Sequence, residues 1–284
     1  MKKKQFILIC CGILLLTFLF FFGEIIPPKK ITSLKNTPAS DTNSVKEIRF
    51  EQLLDKSKEK LSPSQLLYIT GLENSVTRGD VKNQQIHVFR QLATYWGDSI
   101  RLFEPYAYYT SEAAKLENSE KSLTFAAHLF LNSLKTEPQQ AMQHWLATNA
   151  KDLFSRSLVL NPENDSSKIG LGACYIFGNL SDNPMEGISL IREVVQRNPD
   201  NMFGQFILGL GGIKSGQYDK AIERFRIVLA KEPSNVEAML NLAEIYDRKG
   251  EKAEAVNWYK KVKAIVNNNE AQKELDARIS ALNK

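Results

Sequence analysis

From Val45 onward, large apolar residues recur at spacings of three and four with polar residues between them, the period of helices that each bury one face. At Ser62-Pro63-Ser64-Gln65 a hydroxyl stands at an N-cap position, proline at the first helical position and glutamine where a capping box needs it. Leu66, Leu67, Ile69, Leu72 and Val76 follow at helical spacing. No stretch sustains the period-two alternation of a half-buried strand, so the pattern predicts an all-α protein.

The first residues follow another pattern. Phe6 to Phe22 reads FILICCGILLLTFLFFF, 17 residues without a charge. As a helix it would cover about 26 Å of a hydrocarbon layer about 30 Å thick, and Gly23, Ile25 and Ile26 would extend it. Residues 1–26 are therefore expected to form a short cytoplasmic start and one transmembrane helix. A cleaved signal peptide is the alternative, since Lys2, Lys3 and Lys4 make a proper basic start; the long apolar run and the lack of a small-residue cleavage site favour the anchor. Lys29, Lys30 and Lys35 lie on the far side, but the tighter N-terminal cluster favours an orientation with the bulk of the chain outside the cytoplasm of a bacterial inner membrane. Residues 27–44, rich in Pro, Lys, Thr, Ser and Asn, read as a flexible stalk.

Further along, the helical pattern repeats itself. MFGQFILGLGGIKSGQYDKAIERFRIVLAKEPSN begins at Met202, and 34 residues later, at Val236, the chain reads VEAMLNLAEIYDRKGEKAEAVNWYKKVKAIVNNN. Leu208 returns as Leu242, Gly216 as Gly250, Ala221 as Ala255, Phe225 as Tyr259 and Val228 as Val262. Asp165 to Asn201 is a third copy with three extra residues inside GNLSDNPMEG, matched by Leu171, Gly172, Tyr175, Gly187, Ile191, Val194 and Pro199. A fourth is partial: Ala150, Phe154, Leu158 and Pro162 match a second helix, with a lengthened first helix near Ser122 to Leu134.

A helix-turn-helix period of 34 residues with these residue types resembles the tetratricopeptide repeat. The resemblance implies a right-handed α-solenoid of helix hairpins. Its repeat array would cover 138–269, with full units at 165–201, 202–235 and 236–269. Residues 45–137 would form an N-terminal helical region in which the Gly79-Asp80 turn hints at another degenerate unit. Glu270 to Leu282, with Ala271, Leu275, Ile279 and Leu282 on one stripe, reads as the capping helix of 270–284. The whole chain is also similar to bacterial membrane-anchored tetratricopeptide proteins, which adds no site residues.

The same resemblance implies a protein-binding groove lined by each first helix at positions two, five, nine, twelve and thirteen of the repeat. Carried over, these are Ser166, Ile169, Ala173, Ile176 and Phe177, then Phe203, Phe206, Leu210, Ile213 and Lys214, then Glu237, Leu240, Glu244, Asp247 and Arg248. Two units offer an apolar groove and the third a polar, mostly acidic end. Either this face is open to an amphipathic helix or apolar peptide, or the N-terminal helices or a second copy cover it.

The stretch Gly209-Leu210-Gly211-Gly212-Ile213-Lys214-Ser215-Gly216 looks like a phosphate loop but lacks its essentials. A Walker loop needs glycine where Ile213 stands; the dinucleotide fingerprint needs one at Lys214 and a strand before it. In the repeat register Gly209 is a small packing position and Gly216 the turn glycine. Gly211 and Gly212 stand where the next unit has Ile245 and Tyr246. With Gly204 and Gly209 they would cost the helix roughly 3–4 kcal/mol relative to alanine. Close packing on the preceding repeat, or a helix that adapts to a partner, would account for them.

Composition adds limits. Residues 1–44 hold six lysines against Glu24 and Asp41, so they carry +4 of the net charge of +5. The remainder is nearly neutral, which argues against a nucleic-acid surface. His87, His128 and His144 fall on different predicted helices and no Cys/His spacing resembles a zinc site. Cys174 has no partner in the soluble part. The aromatic cluster from Phe103 to Tyr109 and the polar turn with Asp182 read as packing and as an ordinary loop. No catalytic residue, cofactor or metal is expected. The expected role is a membrane-tethered scaffold binding a protein or peptide, with self-association possible; a chaperone-like holder of exported or unfolded clients is the alternative.

Overall fold

The structure, a computed structural model, describes residues 48–78, 81–178, 180 and 184–284. The chain divides into Met1–Ser44 and Val45–Lys284, and all described residues belong to the second unit. The expected anchor and stalk, the Gly79-Asp80 turn and Asp182 lie outside the described residues.

Among the described residues there are thirteen α-helices and one π-helical segment, and no strand. They run α1 (Phe50–Lys58), α2 (Pro63–Arg78), α3 (Lys82–Thr94), the π segment (Tyr95–Ile100), α4 (Phe103–Glu117), α5 (Glu120–Leu134), α6 (Gln140–Leu160) and α7 (Asp165–Phe177). Then come α8 (Met185–Arg197), α9 (Met202–Lys214), α10 (Tyr218–Lys231), α11 (Val236–Arg248), α12 (Lys252–Ile265) and α13 (Asn269–Leu282). None of these is long and apolar enough to cross a membrane.

Local chemistry sets the helix ends. At the start of α2, Gln65 Oε1 accepts from Ser62 N at 2.9 Å while Gln65 N donates to Ser62 Oγ at 3.4 Å, the reciprocal capping box. Asn164, Asn201 and Asn235 each accept from the backbone N–H three residues on, at 2.7, 2.9 and 2.9 Å, and so begin α7, α9 and α11. Two residues before each stands a proline (Pro162, Pro199, Pro233), which stops the preceding helix from continuing. At the tight turns Gly216 and Gly250 adopt φ of 71° and 77°, and Gln217 N and Glu251 N reach back to the carbonyls of Gly212 and Tyr246 at 2.8 Å. Only glycine takes that left-handed conformation at little cost.

Helices pair in sequence: α3 with α4, α5 with α6, α7 with α8, α9 with α10, α11 with α12. Each second helix also meets the next first helix, and from α5 onward neighbouring first helices touch, so the hairpins stack. A hairpin of this kind cannot bury its apolar face alone, and stacking supplies the missing cover. The main core runs through Phe154, Ile191, Phe225 and Tyr259, equivalent residues of four successive second helices, all at most 1% exposed. A smaller cluster of Ile69, Val88, Leu92, Trp96 and Tyr109 holds the N-terminal helices together. Leu67 is 76% exposed and Leu66 39%, so the buried stripe of α2 is Ile69, Leu72 and Val76.

The glycines of α9 separate into two kinds. A Cβ on Gly209 would lie 2.8 Å from the Phe225 ring, one on Gly204 2.7 Å from Val195, and one on Gly212 3.1 Å from Ala221 Cβ. These permit helix contact, Gly204 with the preceding repeat and the others within their own hairpin. A Cβ on Gly211 would meet only Ile176, at 3.6 Å, an ordinary contact. Close packing therefore accounts for Gly204, Gly209 and Gly212, and leaves Gly211 without a packing reason.

Gly209→Ala is expected to lower stability by about 1–3 kcal/mol as Phe225 is displaced, whereas Gly211→Ala should raise it by up to about 1 kcal/mol through helix propensity. Thermal melts of the two variants compare these directly; equal effects would show that the helices do not approach as described.

Candidate functional site

First helices α5, α7, α9 and α11 form a continuous row, which is where a groove would lie. The row divides in two. Its start is covered by the protein's own α5. His128 Nε2 lies 2.7 Å from Ser166 Oγ on α7, and the imidazole packs edge-on against Phe154 and Phe203, with ring centroids 5.2 and 5.5 Å away. Just beyond α5, Lys135 Nζ lies 5.9 Å above the Phe206 ring and 3.7 Å from Glu237 on α11. Side chains of α5 and of Lys135 just after it thus reach the N-terminal turns of three later first helices.

This placement changes what several groove residues can do. Ile169 and Ala173 are fully buried, and Ile176 and Phe206 are 5% and 7% exposed. The reason is partly α5 and partly register. Ile169 and Ile176 pack sideways onto Gly204 and Gly211 of the next first helix, and only at Gly204 would an added Cβ crowd its neighbour. Ser166 and Phe203 are half-buried beneath His128. A partner cannot reach the four buried residues without moving helices.

The other half stays accessible. Phe177, Leu210, Ile213 and Leu240 are half-buried, and Lys214, Glu244, Asp247 and Arg248 are exposed. Lys214 Nζ donates to the Phe177 carbonyl at 3.3 Å and lies over its ring, where partial burial pulls the ammonium pKa below its ordinary value. This accessible strip ends in a cleft of about 330 Å³ where α13 meets α11 and α12. Leu240 and Glu244 line it together with Tyr259, Val266, Leu275 and Arg278. Leu275 is the buried anchor of α13, and Lys263 Nζ, 2.6 Å from Asp276 Oδ1, ties that helix to α12.

Sequence reading missed Tyr259, Val266, Leu275 and Arg278 as groove elements. Tyr259 was legible as a repeat aromatic and Leu275 as a capping residue, but nothing in either pattern showed that they share a cleft. Burial raises the Tyr259 pKa, with Arg278 opposing it, and its buried hydroxyl has no hydrogen-bond partner at ordinary geometry.

Reactive groups elsewhere have structural explanations. Cys174 is a free, fully buried thiol whose pKa burial pushes up to about 12, far from a thiolate. Phe50 stacks on Tyr108 at 3.4 Å, and Tyr109 Oη donates to Glu73 at 2.7 Å, so the aromatic cluster is occupied in fastening α1 and α2 to α4. Among the described residues no three His, Cys, Asp or Glu side chains are grouped to hold a metal ion.

Residues 213–279 match the tetratricopeptide repeat family. Cellulose synthase operon protein C of Pseudomonas fluorescens (strain SBW25) is 32% identical over 120 residues, 42% of this chain. The match spans only 9% of that curated relative's length. Among solved structures, a tetratricopeptide repeat protein from Parabacteroides merdae aligns over 82% of this chain and 86% of its own, at a TM-score of 0.54 and 16% identity. A thermophilic TPR protein of Thermus thermophilus aligns over 71% of this chain and 98% of its own, at 0.51 and 18%. At such identities the likeness is one of fold.

His128 gives the α5 cover a pH dependence. Burial, and next the charge of Lys135, lower its pKa in the folded chain. The unfolded chain, with a histidine pKa of about 6.5, takes up its proton first as pH falls. Stability should therefore drop from about pH 6.5 downward until the folded pKa is passed. His128→Gln should remove this part of the slope in denaturant titrations at pH 7.5 and 5.5; an unchanged difference between the two pH values would show that His128 is solvated.

Proposed function

We propose that the chain is a membrane-tethered scaffold that holds a protein segment along the accessible half of its first-helix row. The observation that carries this reading is the continuity of Phe177, Leu210, Ile213 and Leu240 with the cleft under α13. Apolar side chains left partly uncovered on a concave surface favour an occupant that covers them. Each large side chain buried there would contribute on the order of 1.5–3 kcal/mol. Lys214 and Arg248, together with Glu244 and Asp247, would orient that occupant. The four helix-covered residues take no part in first contact.

The tether in this reading is the uncharged run from Phe6 to Phe22, with the repeats on the outer side of a bacterial inner membrane. Nothing in the arrangement favours catalysis. The charged groups of the accessible strip are solvated, and no base is paired with a nucleophile there.

Two outcomes are expected. Ile213→Asp and Leu240→Asp, introduced together, should remove a stoichiometric partner captured from native membranes while leaving the thermal melt within a few degrees of the parent. Retained capture would refute the site, and recovery of many unfolded clients in place of a defined partner would favour a holder of exported chains. In intact cells with permeable outer layers, added protease should digest the repeat region; its protection would reverse the orientation.

A further inference from the structure

A second opening lies away from the first-helix row. Between second helices α8 and α10, with α9 as its floor, is a cleft of about 270 Å³. Ile176, Ile188 and Leu208 supply its apolar wall, and the floor is the backbone of Gly211 and Gly212. Arg192, Lys220 and Arg224 stand around it, with Glu223 the one carboxylate among its lining residues.

These cations are unusual in what they lack. Arg192 has no hydrogen-bond or ion-pair partner among the described residues. Lys220 Nζ donates to the Gln217 amide oxygen at 2.7 Å, and Arg224 Nη1 to that of Gln205 at 2.7 Å. Both partners are neutral. Gln205 is 2% exposed and is itself fixed by donating to the Pro199 carbonyl at 2.9 Å, so the Arg224 guanidinium is oriented by a buried group without being neutralised. Four lysines of the same repeats do find carboxylates: Lys168 with Glu193, Lys231 with Asp200, Lys249 with Asp219, Lys263 with Asp276. The contrast marks this cleft as a place where positive charge is left uncompensated.

Gly211 fits the same picture. A side chain could stand there without a clash, yet the helix carries glycine and so gives up helix propensity. The absent side chain keeps the floor recessed below the ring of cations.

We propose that this cleft is a second docking site, taken by an acidic peptide segment whose carboxylates pair with Arg192, Lys220 and Arg224 while an aliphatic side chain rests on Gly211. The occupant follows from the charge balance and from the apolar recess beneath it. A purely ionic partner would leave the half-buried Ile188 and Leu208 uncovered, and a purely apolar one would strand three charges. The site is independent of the strip that ends under α13.

The test uses the full chain in detergent micelles and a fluorescein-labelled twelve-residue peptide of alternating glutamate and leucine, read by fluorescence anisotropy. Arg192→Glu with Lys220→Glu, both at exposed positions, should weaken binding at least tenfold with no shift in melting temperature, and Gly211→Leu should weaken it similarly. Leu240→Asp should bind the peptide as the parent does. Replacing the leucines of the peptide by serine should also cost at least tenfold. Binding unaffected by the double charge reversal, no binding at all, or equal binding of a glutamate-serine or lysine-leucine peptide would each overturn the proposal.

Discussion

The structure depends on how closely the two helices of a hairpin approach, and that distance is set by a missing side chain under a large one. A Cβ on Gly172 would lie 2.7 Å from Ile191, and one on Gly209 2.8 Å from the Phe225 ring. In the next unit the same register puts Ala243 opposite Tyr259. Each second helix can then seat its largest residue in the core, and each hairpin presents its remaining apolar face to the next. The stack, the row of first helices and the cleft under α13 all follow from that repeated contact. The turn glycines and the asparagine caps serve it by ending each helix where the partner must begin.

Upon this regular stack α5 imposes an asymmetry. Its side chains and Lys135 just after it reach over the N-terminal turns of α7, α9 and α11, with His128 on Ser166 and Lys135 near Phe206 and Glu237. The polar contacts are individually modest, since Glu237 is largely exposed and a solvated ion pair is worth little. Burial of Phe154, Phe203 and Phe206 around the imidazole and the lysine stem provides the larger share. The protein thereby uses half of its would-be groove as core and keeps the other half accessible. The accessible half runs to the C-terminal end, where the short helix α13 only partly closes the row.

Much of this was readable in the chain. The 34-residue register is legible because the demanding positions tolerate few residue types: glycine at positive φ in Gly216 and Gly250, a small residue at Gly209, a large one at Phe225. The capping box of α2 was equally plain. The fate of Ile169, Ile176 and Phe206 was not, because their burial depends on α5 and on absent side chains one repeat away, information that no single repeat contains. The same holds for Tyr259 and Arg278, which meet Leu240 only once α13 has docked. Leu66 and Leu67 misled for a simpler reason: helical spacing shows that a face exists, and only packing decides which residues of a crowded stripe it includes. For GLGGIKSG, two of the three helical glycines became contacts between helices, and Gly211 became part of the floor of a basic cleft.

The account rests most heavily on α5 lying across the first-helix row, which joins residues far apart in sequence. Zero-length carbodiimide cross-linking of the full chain, followed by peptide mass spectrometry, tests this directly, since Lys135 Nζ and Glu237 Oε1 are 3.7 Å apart. An intramolecular Lys135–Glu237 amide, formed alongside the Lys231–Asp200 and Lys263–Asp276 links between neighbouring elements, is the predicted result. Formation of those local links with no Lys135–Glu237 product would contradict it, and would mean that the whole row of first helices stands open.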